Sequence, residues 1–250
     1  MSRYNIPDEP TAATLAHNLA AVRGVVAQES GARPVTLVAV SKTKSPACLR
    51  HVYDAGQRIF GENYVQELEE KAKELPQDIV WHFIGHLQSN KVRDLLEGVP
   101  HLSVVQTIDS EKLASKVNEG CARYRDGRPL DVYLQVNTSG EESKSGTTPG
   151  AATVALAEYI VKACPLLRLR GFMTIGMLDY TSRPENFECL TRCRAEVAQA
   201  LQTAPEDYEL SMGMSGDYVN AIRMGATTVR VGSSIFGERY YPAKQGDVNA

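Results

Sequence analysis

The sequence predicts an α/β fold, a single (β/α)8 TIM barrel. Three observations predict it. Eight short apolar runs recur along the chain, a helix-like segment links each run to the next, and 250 residues is the usual size of such a barrel. A doubly wound open sheet is the alternative, and the count of eight units favours the closed barrel.

The first element is helical. Leu15, Leu19, Val22 and Val26 recur at three- and four-residue steps, which predicts a helix over 11–27. Strand-like runs and helical patterns then alternate. VTLVAVSK (35–42) is the first strand and 48–55 the helix after it. RIFGE (58–62) precedes a helix over 64–75, and WHFIG (81–85) precedes one over 88–96. LSVVQ (102–106) leads to 110–124. DVYLQV (131–136) leads through a Ser-, Gly-, Thr- and Glu-rich loop, 137–150, to a helix over 151–164. That loop is expected to be the mobile one. LRGFMTI (169–175) precedes 185–201, YELSM (208–212) precedes 217–224, and TVRVG (228–232) closes the series. Near-continuous Val, Ile, Leu and Ala suit parallel strands covered by helices on their outer face. The expected organisation is an N-terminal extension and helix over 1–34, a barrel over 35–241 and a flexible tail over 242–250.

Composition narrows the function classes. There are 27 basic and 30 acidic residues, net charge −3, and no basic stripe, so nucleic acid and anionic membranes are not expected as partners. The longest apolar stretches, such as 35–40, are far too short to span a bilayer. Residues 1–10 lack the basic start and apolar run of a signal peptide. The five cysteines are odd in number and form no CxxC, which predicts reduced, partly buried thiols in a reducing compartment. The expected location is cytoplasmic, with a minor mitochondrial pool still compatible.

In a barrel of this kind function sits at the C-terminal ends of the strands. Lys42, Glu62, Asn63, His86, Gln88, Asn137, Ser139, Met173, Thr174, Gly176, the run 211–215, Gly232, Ser233 and Ser234 all fall there. In SMGMSGD (211–217), Gly213 and Gly216 allow backbone N–H groups to approach a ligand, and a helix N-terminus follows. VRVGSS (229–234) adds a second glycine and two hydroxyls. The loops after strands seven and eight are the usual phosphate site of such barrels. The plain alternative is two ordinary turns, with Ser215 as N-cap of the helix over 217–224. Two such loops in this order favour phosphate.

Lys42 closes an apolar run, so its side chain points either into the barrel mouth or into solvent. An amine that captures an aldehyde must be neutral. A free lysine, with a pKa of about 10.4, is neutral roughly once in 2,500 at pH 7. Partial burial at the mouth raises that fraction. Lys44 is a rival two residues on, although Ser45-Pro46 marks the start of a loop. Arg230 lies within an apolar strand and needs a partner, either a structural ion pair or the pyridine nitrogen of pyridoxal 5′-phosphate (PLP). His82 and His86 stand four apart, but no third ligand completes a metal site. Asn63, at the end of strand two, is a candidate for the ligand shell.

The stretches VAVSK (38–42), FGENYVQE (60–67), WHFIGHLQ (81–88), GFMTI (171–175), LSMGMS (210–215) and VRVGSSIFG (229–237) resemble the YggS/PROSC family of PLP homeostasis proteins. They occur in the family's order and cover about 35–237. The resemblance implies a barrel like the N-terminal domain of alanine racemase, with PLP at its mouth. It implies that Lys42 is the Schiff-base lysine, that Ser211, Ser215, Gly232 and Ser233 surround the phosphate, and that Arg230 faces the pyridine nitrogen. Asn63 and Met173 are implied to line the cofactor. The region 126–128 and the C-terminal tail match no family motif.

Racemisation needs acid/base groups on both faces of a substrate. In two-domain racemases a separate β-domain completes one face. This sequence ends 18 residues after the eighth run, so that domain is expected to be absent. An arginine at the ring nitrogen would keep it unprotonated and make it a poor electron sink. The expected function is therefore PLP binding and homeostasis without efficient catalysis, in a monomer, with PLP-dependent apoenzymes as candidate recipients. A weak amino-acid racemase is the runner-up. A sugar-phosphate enzyme using Lys42 as an aldolase-type base is the third reading.

Overall fold

The computed structural model describes residues 9–141, 144–176 and 184–238. The tail expected over 242–250 lies outside the described residues, as do the first eight residues. Along the chain the elements are α1 (Ala12–Ser30), β1 (Thr36–Val40), α2 (Pro46–Asp54), β2 (Ile59–Glu62), α3 (Val65–Glu74), β3 (Val80–Phe83) and α4 (Val92–Gly98). They continue as β4 (Leu102–Ile108), α5 (Glu111–Tyr124), β5 (Leu130–Gln135), α6 (Ala151–Ala163), β6 (Leu167–Met173) and α7 (Pro184–Leu201). The last are β7 (Glu209–Ser211), α8 (Tyr218–Arg223), β8 (Thr228–Val231) and α9 (Ser233–Phe236). Each strand pairs with the next, and β8 returns to β1 in parallel, with Val38 opposite Arg230, so the sheet is closed. The (β/α)8 barrel is thus the observed architecture.

Local chemistry sets the helix starts. Thr11, Ser45 and Ser110 cap α1, α2 and α5 by accepting from the backbone N–H three residues on, and Pro46 occupies the first turn of α2. The layer between strands and helices carries Phe60, Trp81, Phe83 and Phe172, all buried. Inside the barrel, Val104, Tyr133 and Met173 form a smaller apolar cluster. The buried face of α1 (Leu15, Leu19, Val22, Val26) joins the same core as Leu49 and Val52 of α2 and Ile222 of α8. Asn18 of α1 also donates to the Ile235 carbonyl in α9 (3.1 Å). All five cysteines are free and buried. Burial pushes the Cys48, Cys121 and Cys193 thiols up to about 11, so they stay protonated and unreactive.

The structure departs from expectation in four places. The first strand stops at Val40, because Ser41 begins a tight turn. The helix expected over 88–96 is a 3-10 turn (Ser89–Lys91) followed by α4. The short α9 has too few residues to show a periodicity. The described residues of the loop 137–150 make bonds at the end of β5 that the sequence did not indicate. Thr147 bridges Val136, the Gln135 amide donates to the Ser145 carbonyl (3.0 Å) and the Asn137 amide to that of Glu141 (2.9 Å).

Candidate functional site

The C-terminal rim of the barrel is built around the turn after β1. The Ser41 carbonyl accepts from the Lys44 N–H (3.1 Å), which closes a four-residue turn with Lys42 and Thr43 at its tip. Thr43 has φ +65°, a value that β-branched residues rarely adopt. Lys42 is half-buried on this turn. The rival Lys44 is buried and its ammonium donates to the Glu238 carbonyl (2.6 Å).

The turn meets the loop after β8 closely. A Cβ on Gly232 would lie 3.3 Å from the Val40 carbonyl, two residues before Lys42. The loop after β7 joins the same place through Ser215, whose hydroxyl accepts from the N–H groups of Gly232 (3.1 Å) and Ser234 (3.4 Å). Ser215 is therefore not the N-cap of α8. Asp217 holds that position, and its carboxylate accepts from the Met214 N–H (2.6 Å). Ser233 is exposed at the start of α9. Hydroxyls and backbone donors from two loops thus converge beside the lysine turn.

Below the rim lies a buried polar chain. The Arg230 guanidinium donates to Ser211 Oγ (2.7 Å) and to the Thr174 carbonyl (2.7 Å). Ser211 Oγ donates in turn to Gln106 Oε1 (2.6 Å), and the Gln106 amide pairs with His82 Nδ1 (2.9 Å). Of the two readings of Arg230, the structural ion pair does not occur among the described residues, where neutral oxygens receive the guanidinium. Burial pushes Arg230 down to about 10, so it remains charged at neutral pH. Ser211 sits inside the barrel on this chain, apart from the Ser215–Gly232 contact. Met173 is fully buried opposite it, paired in register between β6 and β7. Asn63 follows β2, and its side-chain oxygen is buried without a hydrogen-bond partner. His86 is exposed and bonds Ser145 (2.9 Å), while His82 faces the interior, and no metal-binding cluster occurs among the described residues.

His82 and Gln106 were not identified from sequence as site-supporting residues. Burial pushes His82 down to about 4. Free histidine titrates near 6.5, so between these values the unfolded chain takes up a proton that the folded protein excludes. The stabilisation is complete above pH 6.5 and is lost as pH falls toward 4, by roughly 3 kcal/mol in all. Urea titrations of wild type and His82→Gln between pH 4 and pH 7 test this: the variant should show the flatter pH dependence, and parallel profiles would refute it.

The fold defines an alanine racemase-like barrel with a lysine turn and two hydroxyl-bearing loops at its rim and a buried arginine below them. The family model described as "Alanine racemase, N-terminal domain" matches residues 11–240. A pyridoxal phosphate homeostasis protein of Mus musculus is 48% identical over 217 residues, covering 83% of this chain and 78% of that one. The structure of PipY from Synechococcus elongatus, with PLP bound, superposes with a TM-score of 0.73 at 36% identity, over 89% of this chain and 100% of PipY. An uncharacterised Bifidobacterium adolescentis protein reaches a TM-score of 0.80 at 32% identity, over 93% and 100%. This chain belongs to the alanine racemase N-terminal-domain family and, within it, to the pyridoxal phosphate homeostasis proteins.

Proposed function

We propose that this protein binds PLP at the barrel mouth and serves in PLP homeostasis, holding the cofactor through Lys42. The observation that carries the reading is the position of Lys42. It lies half-buried on a turn whose base, Val40, touches Gly232 of the donor-rich loop. The donor set fits the group. The Ser215 and Ser233 hydroxyls are donors suited to a phosphate, the Gly232 N–H, now held by Ser215 Oγ, could turn to it as well, and Asn63 brings a buried oxygen that lacks a partner. Arg230 is fixed from two sides, by Ser211 and the Thr174 carbonyl, and would be the residue that meets the ring nitrogen. Met173 is buried where it can line the cofactor, and Ser211, assigned to the phosphate from the family resemblance, is buried and bonded to Arg230. PLP supplies an aldehyde that an amine captures reversibly as a Schiff base. PipY, with PLP bound, and the homeostasis proteins among the relatives support this assignment.

The unit that does this is the barrel over 35–241, with α1 packed against its helices and residues 242–250 as an appended tail. It acts as a monomer in the cytoplasm and has PLP-dependent apoenzymes as its recipients. Among the described residues no helix is long and apolar enough to cross a membrane. Borohydride reduction after incubation with PLP, followed by peptide mass mapping, should place a phosphopyridoxyl group on Lys42. A label on Lys44, or none, would overturn the reading.

The same geometry argues for holding over catalysis. Arg230 is charged at pH 7, and a charged donor beside the ring nitrogen of PLP would keep that nitrogen unprotonated and a weak electron sink. Incubation of PLP-loaded protein with L-alanine should give no racemisation above a free-PLP control. Robust turnover would make the protein a racemase.

A further inference from the structure

Lys71, on α3, is fully buried, and its ammonium reaches the Lys42 turn both directly and through two carboxylates. Its ammonium donates to the Ser41 carbonyl (2.9 Å), Glu62 Oε1 (2.7 Å) and Glu67 Oε2 (3.1 Å). Glu62 Oε1 also accepts from the Ser41 hydroxyl (2.6 Å). Glu67 Oε2 also accepts from the Thr43 N–H (2.9 Å). Three ionisable side chains from β2 and α3 thus hold the first residue and the tip of the Ser41–Lys44 turn.

Two arguments give this cluster a purpose beyond holding the fold. A buried ion cluster is a poor way to gain stability, since apolar side chains of the same volume often serve as well or better. The turn it grips is strained, because Thr43 holds φ +65°. Relaxation of Thr43 to an ordinary backbone conformation would reorient the peptide bonds on either side of it and, with them, the side chain of Lys42. Burial raises the Glu62 carboxyl, and the charge and hydrogen bond of Lys71 oppose that shift.

We propose that Lys71, Glu62 and Glu67 are positioning residues that clamp the strained turn, so that the Lys42 amine is the one presented to the barrel mouth. The proposal deepens the PLP reading and rests on Lys42 being the residue that takes the cofactor. Lys44 is turned away, with its ammonium on the Glu238 carbonyl.

The test compares full-length wild type with Glu67→Ala, Lys71→Met and the double variant Lys71→Met/Thr43→Gly. One arm measures hydrogen exchange at the Thr43 and Lys44 amides without PLP. The other maps borohydride-fixed PLP between Lys42 and Lys44, per folded molecule. Loss of one charge-assisted bond should speed exchange at both amides, and lower the Lys42 label, by about tenfold or more. Thr43→Gly should restore the label, because glycine adopts positive φ without strain. If the variants only lower the melting temperature, with turn exchange and Lys42 labelling of the folded protein unchanged, the clamp is refuted. If wild type takes no label, the PLP reading fails, while the exchange arm still judges the clamp. Should Lys71→Met not fold, Glu67→Ala decides, since it leaves the Glu62–Lys71 pair in place.

Discussion

Lys42→Ala is expected to stay colourless with PLP and to yield no phosphopyridoxyl peptide after borohydride. No other substitution removes as much, because it deletes the covalent link itself. The proposed phosphate site at Ser215, Gly232 and Ser233 would remain, so weak reversible binding should survive. Lys44 cannot replace the lost amine in place. It is buried and committed to the Glu238 carbonyl at 2.6 Å, and freeing it means breaking that bond and rebuilding the turn. Lys42→Arg is the matching control. It keeps the positive charge but offers no neutral amine, so it too should take no label. A yellow Lys42→Ala protein labelled on Lys44 would transfer the assignment to Lys44. It would also show that the turn is far more plastic than its bonds imply.

The barrel was legible because its signal is repetitive. Eight apolar runs, separated by helices, leave few topologies, and the rule that function gathers at the strand ends then singled out Lys42. The Lys42 turn was less legible. Ser41 and Lys42 continue an apolar run and read as strand, and only the bond from Lys44 to Ser41 ends it two residues early. Ser215 shows how local grammar is overruled. A serine ahead of a helix reads as an N-cap, yet the loop after β8 arrives at its hydroxyl, and Asp217 bonds the Met214 N–H instead.

The charged partners were hidden for a different reason. Glu67 and Lys71 stand four apart on α3, which on sequence alone looks like an ordinary solvated helix pair. That this face is dry depends on β1 and β2 lying against it, with Glu62 brought in from a different element. The polar chain below Arg230 is similar. Gln106 comes from β4, Ser211 from β7 and Arg230 from β8, and only closure of the barrel brings them together.

Gly85→Ala is expected to cost ~3 kcal/mol or more and to disable the site together with the fold. Gly85 follows β3 and lies against the residue after β2. A Cβ there would sit 1.9 Å from the Asn63 carbonyl oxygen and 2.7 Å from its Cα. Both obstacles are backbone, so no rotamer change relieves them. Retreat is blocked as well, because the Ile84 N–H is bonded to the Glu62 carbonyl (2.9 Å) one residue away on each segment. Separation of the two segments would move Asn63 and strain Glu62, which carries the Lys71 pair at the base of the lysine turn. Gly61→Ala is the comparison. Its Cβ would meet only side-chain methyls of Val38 and Ile84, at 2.8 and 3.0 Å, which can partly shift. Urea unfolding should therefore rank Gly85→Ala as the more damaging of the two, and any folded Gly85→Ala should also lose affinity for PLP. A Gly85→Ala protein within about 1 kcal/mol of wild type would mean that the two strand ends are not in the close contact on which the site depends.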